Sequence, residues 1–450
     1  MTTISSLAAL INPLARGPID ASLADKLSLH LFDALGALAA GITIPDIQAL
    51  FASDGSGTSL MAPLRRASLA AAAIRSTEID DIHLEACVTP SAAVAPIILQ
   101  FAQGEENIGG LRLLNAYLCG VEAMIRFAAA TGGPRLMRSG IWPSRLAAPL
   151  GAAAAASAIL SLDEQRTAHA LAIAAAMAGG LSARGGVPST RWLIFGRAVG
   201  DGLAAARAAA AGMKGDPSLL DGAWCTATGI ELDPRILLAT EGRALAVRDL
   251  GLKPWCAARQ TIAAISGFLE LLQKHDFEPA ALARIEVEVP REYAAMIDQQ
   301  EMPASRPASF ANLRYLLGLA SFAPRGLLDV RRDDLRIDSR FDSLARIVRI
   351  EATDDFSASY PAHWPARVSV ETKGGTRHSV EVTDIPGDAA RPLPWDEVEG
   401  KIAEATGLAR DQVSRLAEAC RALPKARDGA ALKSAVAASL TAVDEGRSRP

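Results

Sequence analysis

The sequence predicts a mostly α-helical protein that consists of a large all-helical domain plus a smaller α+β domain. Three observations support this prediction. Apolar residues, chiefly alanine and leucine, recur at helical spacing through residues 1–270. Segments that alternate with a period of two, as strands do, appear within residues 271–394. Helical spacing returns in residues 395–450, which we expect to close the helical domain around the α+β insertion.

Composition and charge narrow the classes of function. A chain of 450 residues favours two domains over a single core. Hydrophobic residues make up 50% of the chain and aromatic residues only 5%, which indicates closely packed, alanine-rich helices. The net charge of -4 leaves no basic surplus, so neither nucleic acid nor an anionic membrane is an expected partner.

Cysteine usage and the apolar runs indicate a soluble protein of a reducing compartment. Five scattered cysteines without a Cys-x-x-Cys pair argue against zinc and disulfides and favour the cytoplasm. The N-terminus lacks a basic segment followed by an apolar one, so we expect no signal peptide. The apolar runs 146–160 and 168–181 are shorter than the roughly 20 residues that span a bilayer.

Caps and breaks locate the helices in order. Asp20 predicts an N-cap, after which leucines recur at helical spacing until Gly41. A capping box at Ser161-Leu-Asp-Glu164 starts a later helix, which Gly179-Gly180 ends. Further helices are expected at residues 63–75, 92–102, 111–130, 146–160, 197–213 and 310–321.

Strand patterns are confined to the insertion. Residues 284–289 alternate with a period of two and end at Pro290. Residues 345–352 are a second candidate strand. Two further segments, 367–372 and 377–383, flank Lys373-Gly-Gly-Thr376, and this arrangement predicts a hairpin.

The segment Glu78-Ile-Asp-Asp-Ile-His83 concentrates three carboxylates and a histidine between two apolar helical segments, and Thr89-Pro-Ser91 follows it. Burying such groups is costly unless each of them is paired. One interpretation is a helix end with solvated carboxylates. The other is a proton-transfer site, in which a neighbouring carboxylate orients the histidine and raises its pKa.

Further fragments complete an ordered set that extends over most of the chain. The set comprises Phe32-Asp-Ala-Leu-Gly36, the acidic segment with Thr89-Pro-Ser91, Gly140-Ile-Trp142, Thr190-Arg-Trp-Leu-Ile-Phe-Gly-Arg197, Leu252-Lys-Pro-Trp255 with Arg259, and Arg306-Pro307 before Tyr315. In this order and spacing the chain resembles the MmgE/PrpD family, which includes 2-methylcitrate dehydratases, aconitate decarboxylases and iminodisuccinate epimerase.

The resemblance carries several expectations. It implies a helical domain and a smaller α+β domain with the active site in the cleft between them. It also implies a homodimer that requires neither a metal nor an organic cofactor. The implied substrates are small di- or tricarboxylates, and the implied chemistry is abstraction of a proton beside a carboxylate.

The chain departs from the family's pattern at several acid–base positions. The family's Asp-x-Asp-Asp-Thr motif begins here with Glu78 and ends with Ile82. Where the family has histidines or the lysine of its Thr-Lys motif, this chain has Thr89, Trp142, Ile194, Ile262 and Arg191. Lys253 and Tyr315 remain. Dehydration and decarboxylation are therefore less expected than a reaction without a leaving group.

Four residues are candidates for catalysis. His83 and Asp81 lie in the acidic segment, where the alternative for His83 is a structural histidine. Lys253 can act as a base if it is desolvated near other cations, whereas the alternative is a solvated lysine in a turn. Tyr315 can donate a hydrogen bond to a developing enolate, or it can simply be a packed tyrosine.

Five residues are candidates for substrate binding, namely Glu78, Thr89, Trp142, Arg191 and Arg259. The planar guanidinium of Arg191 can bind a carboxylate through two parallel hydrogen bonds, which the family's lysine cannot do. Its alternative role is an ion pair at a helix start. Arg145 and Arg184 lie in the same motifs as these candidates, and Trp142 is expected to form a pocket wall.

Together these residues predict a cofactor-independent epimerase or racemase that abstracts the α-proton of a small, iminodisuccinate-like polycarboxylate. Fixed arginine and lysine charges would neutralise the dianion that forms. Two alternatives remain open, a dehydratase (a lyase) of a methylcitrate-like acid and a catalytically inactive family member that binds a carboxylate. We expect the segments around His83, Arg191, Lys253 and Tyr315 to share one site.

Overall fold

A computed structural model of the chain describes residues 1–54, 62–102, 107–180, 189–239, 245–332, 335 and 338–447. It divides into two compact units. The first unit comprises Met1–Leu250 and Pro394–Pro450, and the second comprises Gly251–Leu393. The first unit is built from helices and the second from helices around a mixed sheet, so the predicted fold class is confirmed.

The boundaries of the units differ in detail from the predicted 270/271 and 394/395. The structure places the first boundary after Leu250 and the second after Leu393. Helix Arg259–His275 therefore belongs to the second unit, where it packs on the sheet. Its apolar spacing is the same as that of any buried helix, and spacing alone does not say which core a helix joins.

The N-terminal part of the first unit is a succession of helices, numbered here in chain order. They are α1 (Thr3–Ile11), α2 (Ala21–Gly41), α3 (Pro45–Asp54), α4 (Ala62–Ser76), α5 (Pro90–Ala102), α6 (Gly110–Ala130), α7 (Pro143–Ile159), α8 (Glu164–Met177), α9 (Thr190–Ala210), α10 (Ala223–Thr228) and α11 (Pro234–Leu237). The helix α7 lies at the centre, because it packs against α5, α6, α8 and α9.

The helix starts show where local sequence decides structure. Asp20 caps α2 as predicted, since its carboxylate accepts a hydrogen bond from the backbone N–H of Leu23 at 2.8 Å. The predicted capping box is wrong. Asp163, not Ser161, caps α8 by accepting from the N–H of Arg166. Ser161 has a left-handed backbone and its hydroxyl accepts from Arg112, so it is not available as a cap.

Small residues let the central helices approach closely. An added Cβ at Gly202 in α9 would lie 2.3 Å from the carbonyl oxygen of Pro149 in α7. No real side-chain carbon tolerates that distance, so glycine is required at this crossing. The alanine-rich composition thus has a direct structural consequence, namely helices in backbone contact.

One described helix, α6, is long and apolar enough to cross a membrane when judged by length and composition alone. Within its most apolar window, 94% of the residues are buried inside the protein. The helices α2 and α3 pass the same test only as a pair bent by 80°. Such burial is typical of the core helices of soluble proteins.

The second unit contains five described helices and a four-stranded sheet. The helices are α12 (Arg259–His275), α13 (Arg291–Ile297), α14 (Arg306–Ser309), α15 (Leu313–Phe322) and α16 (Ser339–Ile347), and the strands are β1 (Leu282–Pro290), β2 (Val348–Thr353), β3 (Ala366–Thr372) and β4 (Arg377–Val382). The strand order is β2-β1-β3-β4. The β1–β2 pair is parallel and the other pairs are antiparallel.

The two faces of the sheet explain the alternating sequence. Ile285, Val287 and Val289 of β1 are fully buried, and α12 packs against β3 and β4. On the alternate positions Glu286 pairs with Arg377, and Glu288 with Arg367. Apolar burial on one face and cross-strand ion pairs on the other therefore set the register.

The strand predictions for β1 and the hairpin of β3 and β4 are confirmed to within two residues at each end. The second candidate, residues 345–352, is partly wrong. Its first three residues complete α16, whose start is capped by the Asp338 carboxylate accepting from the N–H of Arg340. The strand β2 begins only at Val348, because the capped helix takes the preceding residues.

The chain returns to the first unit with α17 (Trp395–Thr406), α18 (Arg410–Ala422) and α19 (Ala430–Arg447), as predicted. Lys401 of α17 is 5% exposed. Its ammonium group donates to the Asp33 carboxylate of α2 at 2.6 Å and to the Ile79 carbonyl oxygen at 2.7 Å. This one side chain therefore joins the C-terminal segment to α2 and to the acidic segment.

Replacing Gly202 by alanine should destabilise the protein by about 1–3 kcal/mol, because α7 and α9 would have to separate. Gly400→Ala is the matched control. Gly400 lies within α17 with open space around it, so alanine there should stabilise by roughly 0.5–1 kcal/mol. Urea unfolding followed by circular dichroism measures both changes, and equal effects of the two substitutions would contradict the close-crossing explanation.

Lys401→Met should lower the free energy of unfolding by about 3–5 kcal/mol, because it leaves the Asp33 carboxylate buried without its cation. Lys214→Met removes the same charge from an exposed lysine and should change stability little. Thermal unfolding of the two variants checks this. A Lys401 variant as stable as the control would show that the buried pair is dispensable.

Candidate active site

The acidic segment is a buried turn between α4 and α5. Glu78, Asp80, Asp81 and His83 are each at most 5% exposed, so the interpretation as a solvated helix end is wrong. Glu78 and Cys87 have positive φ angles of 57° and 54°. Residues with side chains rarely adopt that conformation, and strain of this kind is concentrated at functional sites.

Glu78 and Asp80 are held by a buried arginine at the end of α4. Arg75 Nη1 lies 2.9 Å from Glu78 Oε2 and 3.3 Å from Asp80 Oδ1. Burial lowers the pKa of Arg75, but the two carboxylates outweigh that effect and its net pKa lies above the ordinary value. The positive charge of Arg75 is therefore permanent and already matched within the protein.

Arg191 lies at the start of α9 and faces two aromatic rings. Its guanidinium carbon is 4.9 Å from the ring centroid of Trp142 and 4.6 Å from that of Trp192. Arg75 approaches the same two rings at 5.3 and 5.8 Å. Arg191 Nη2 is 3.8 Å from Glu78 Oε1, and its side chain is 26% exposed. Two arginines, two tryptophans and one glutamate thus form a charged cluster, which we call the arginine–tryptophan cluster.

Trp142 and Thr89 occupy two of the positions at which the resemblance implies histidines. Trp142 packs against Trp192 and Phe195 and is 7% exposed, and its role as a pocket wall stays a prediction. Thr89 is 2% exposed, and its hydroxyl oxygen has no hydrogen-bond partner within the part of the chain that the structure describes. Neither side chain can exchange a proton near neutral pH.

Asp81 lies at the centre of a second buried cluster of hydrogen-bonded side chains. It accepts hydrogen bonds from the N–H and the hydroxyl of Ser91 at the start of α5, and that hydroxyl also bonds the phenol of Tyr117. Burial raises the pKa of the Asp81 carboxyl well above its usual value, the Ser91 hydroxyl opposes this, and Asp80 adds to it. Asp81 therefore tends to hold a proton that an ordinary aspartate would lose.

His83 stabilises the turn in which it lies. Its Nδ1 accepts a hydrogen bond from the N–H of Ala86 at 3.2 Å, and its backbone bridges to Val88. Burial lowers the pKa of His83 to about 4, against the opposing effect of a hydrogen bond to the backbone of Ala246. The sequence-based expectation of a raised pKa is wrong, because desolvation, together with the positive charge of Lys26, outweighs the hydrogen bond to Ala246. The ring is neutral at physiological pH.

Sequence reasoning missed a polar stripe on α2. Lys26, His30 and Asp33 are spaced i, i+4, i+7 and therefore share one face of an otherwise leucine-rich helix. His30 Nδ1 lies 3.6 Å from Asp81 Oδ2. Burial lowers the pKa of Lys26 to about 8, although Asp249 and Asp81 act to raise it. The helical spacing of these three residues is the signal that would have found them.

The candidates of the second unit are also buried. Lys253 is 2% exposed. The guanidinium of Arg259 bonds Asp388 through two nitrogens, at 2.5 and 3.3 Å. This bidentate pair uses Nε and Nη2, and it leaves Nη1 without a hydrogen-bond partner among the described residues. Its geometry therefore favours a structural role over the predicted substrate contact.

Tyr315 lies in the first turn of α15. Its N–H donates to the Asn312 side chain that caps the helix, and its hydroxyl donates to the Leu335 carbonyl oxygen at 2.7 Å. The tyrosine is 1% exposed, so its hydroxyl is satisfied inside the second unit. Arg184, a further sequence candidate, lies outside the described residues. The prediction that His83, Arg191, Lys253 and Tyr315 share one site stays a prediction.

No group of three or more histidine, cysteine, aspartate and glutamate side chains is arranged as metal ligands within the described ranges. The described residues offer fixed positive charge and buried proton-holding groups. Arg191 supplies charge at a partly open position. Asp81 and Lys26 have pKa values displaced from their ordinary ranges toward neutrality, which is typical of functional sites.

The lowered pKa of His83 has a consequence for stability. Its folded pKa of about 4 lies below the reference value of 6.5, so between these values the unfolded chain binds more protons. Stability is therefore lost as the pH falls through this window. Between pH 7 and pH 5 the wild type should lose about 2 kcal/mol more than His83→Gln. Urea unfolding of both proteins at the two pH values measures this, and an equal loss would mean that the ring is not a buried neutral group.

Known proteins support the resemblance found in the sequence. Family models described as the MmgE/PrpD N-terminal domain and the MmgE/PrpD C-terminal domain match residues 5–234 and 255–423. The chain is also 34% identical to the cis-aconitate decarboxylase of Homo sapiens over 152 residues, which is 33% of this chain and 31% of that protein. The corresponding protein of Mus musculus is 32% identical over 152 residues, with the same coverage.

The family models and the curated relatives match different fractions of the chain. The chain matches about a third of the length of these curated relatives, which are enzymes. The two family models, by contrast, together cover most of the chain and extend into both units. This chain belongs to the MmgE/PrpD family.

Proposed function

We propose that this protein is an enzyme of the lyase class that removes a proton beside a carboxylate of a small polycarboxylate. The substrate class is a methylcitrate-like or aconitate-like acid. The observation that carries the proposal is Arg191, a partly exposed guanidinium held over two tryptophan rings in a family that includes decarboxylases of cis-aconitate.

The chemistry requires positive charge that does not move. Removing the α-proton turns a carboxylate into an enolate-like dianion, and a preorganised cation lowers the energy of that state without reorganising. The arginine–tryptophan cluster supports this role, because Trp142 and Trp192 hold the guanidinium plane of Arg191. Arg75 is buried with Glu78 and Asp80, whereas the Arg191 side chain is 26% exposed, so Arg191 is the cation proposed for the substrate.

Groups for proton transfer are proposed for each unit separately. Lys253 and Tyr315 remain the proposed acid–base groups of the second unit. In the first unit we propose Asp81, whose raised pKa suits a proton donor, and Lys26, whose pKa of about 8 suits a base. His83 is neutral, but it also bonds the backbone of Ala86 and Ala246, which favours positioning of the turn over direct proton transfer.

A second candidate function is epimerisation of an iminodisuccinate-like acid. The observation that favours it is Trp142, which fills a histidine position of the family with a packed indole that cannot protonate a leaving group. An enolate held at Arg191 would then be reprotonated on its other face. The lyase reaction stays the first proposal, because the curated relatives of the chain are decarboxylases.

One experiment separates these functions. The enzyme is incubated with methylcitrate, cis-aconitate and iminodisuccinate in deuterated water, and the products are followed by NMR. Release of water or carbon dioxide with a change of the alkene signal supports a lyase. Deuterium exchange with inversion and no such change supports an epimerase. If none of the acids shows either change, both the lyase and the epimerase function are contradicted. The remaining interpretation is then an inactive carboxylate-binding protein.

Arg191→Lys should lower kcat/KM about tenfold to a hundredfold, because lysine keeps the positive charge but cannot form the proposed bidentate contact with the substrate carboxylate. Arg197→Lys is the matched control, since Arg197 lies on the same helix, is 74% exposed and pairs with Asp201. Steady-state kinetics and melting temperatures of both variants measure this. A loss of stability in Arg191→Lys with unchanged kcat/KM would assign Arg191 a structural role.

Two expectations about the whole protein remain proposals. We propose that it acts as a homodimer and resides in the cytoplasm. Light scattering coupled to size-exclusion chromatography tests the first, and cell fractionation tests the second.

A further inference from the structure

The carboxylate that neighbours Arg191 belongs to the protein itself. Glu78 uses one oxygen, Oε2, to bind Arg75 at 2.9 Å, and presents the other, Oε1, to Arg191 at 3.8 Å. The second distance is too long for a hydrogen bond, so this contact is an electrostatic one. The same glutamate therefore bonds one arginine and only screens the charge of the other.

Glu78 is held in this place against its backbone preference. Its φ of 57° lies in the left-handed region, which glutamate rarely adopts, and the residue is 5% exposed. The ion pair with Arg75 supplies an interaction that keeps the side chain there. A strained residue that carries a charge toward a proposed ligand site indicates a function for that charge.

The arginine–tryptophan cluster contains two buried donors of interest. Arg75 Nε and Trp192 Nε1 are buried and lack a hydrogen-bond partner within the described part of the chain. Trp192 is 1% exposed and stacks under Arg191. A cluster that combines two arginines with these two donors fits an anionic ligand better than a neutral one.

We propose that Glu78 is an internal counter-ion of Arg191, which the carboxylate of the substrate displaces. This inference rests on the proposed function, because it assumes that Arg191 is where a small polycarboxylate binds. In the empty site Glu78 screens Arg191. When the ligand binds, Glu78 remains on Arg75, and the ligand carboxylate takes the hydrogen bonds of Arg191.

The consequence is that Glu78 sets the affinity of the site. A ligand carboxylate on Arg191 lies a few ångströms from Glu78, and like charges at that distance repel strongly in a water-poor environment. Part of the attraction by Arg191 is therefore offset by Glu78. Removing the charge of Glu78 should strengthen binding, which is opposite to what the loss of an ordinary ligand contact would do.

The test measures binding of tricarballylate and succinate, two small acids, by isothermal titration calorimetry. Glu78→Gln and Glu78→Asn should each bind tricarballylate about tenfold more tightly than the wild type. The asparagine variant is included because asparagine tolerates a positive φ and keeps the turn folded. Glu85→Gln is the matched control, since it removes the same charge from an exposed position of the same turn and should leave affinity unchanged.

The outcomes separate this inference from the proposed function. Unchanged or weaker binding in Glu78→Asn, with a melting temperature like that of the wild type, overturns the counter-ion role. Arg191→Ala should abolish binding, and full binding in that variant overturns the assignment of Arg191 instead. If neither acid binds to the wild type or to the Glu78 variants, both the inference and the substrate class are wrong.

Discussion

The structure of the first unit depends on the pairing of charges that are buried in an apolar helical core. The acidic segment can be buried only because each of its carboxylates has a hydrogen-bond or ion-pair partner. Burying an unpaired charge in an apolar core is more unfavourable than the packing of the surrounding helices is favourable. Arg75 forms ion pairs with Glu78 and Asp80, and the backbone N–H of Ser91 donates a hydrogen bond to Asp81. Lys401 then fixes the backbone of the segment at Ile79.

This pairing explains why distant parts of the chain form one unit. Lys401 comes from the C-terminal helices, yet it neutralises Asp33 near the start of the chain. The α+β unit interrupts the helical unit in sequence without dividing its core. A buried pair of this kind specifies one arrangement of helices, because sliding either helix would leave a charge without its partner.

The same constraint gives the site its chemical character. Within the arginine–tryptophan cluster both guanidinium groups lie against the tryptophan rings, and the Glu78 carboxylate lies near both positive charges. Desolvation then displaces proton affinities in both directions, raising the pKa of Asp81 and lowering those of Lys26 and His83. The buried ion pairs and the displaced pKa values thus have one cause, which is the free-energy cost of removing charged groups from water.

The amino-acid sequence alone determined the fold class, most helix and strand positions and the family. Those features depend on local caps, periodicity and short motifs, such as the Asp20 cap and the alternation in β1. It also named Arg191, Glu78 and Trp142 as candidates for substrate binding, and the structure places Arg191 near both of the others. Tertiary structure decided which unit α12 joins, which carboxylate Arg259 binds, and the state of His83. Each of these depends on burial and on partners far away in the chain, and local sequence carries no information about desolvation.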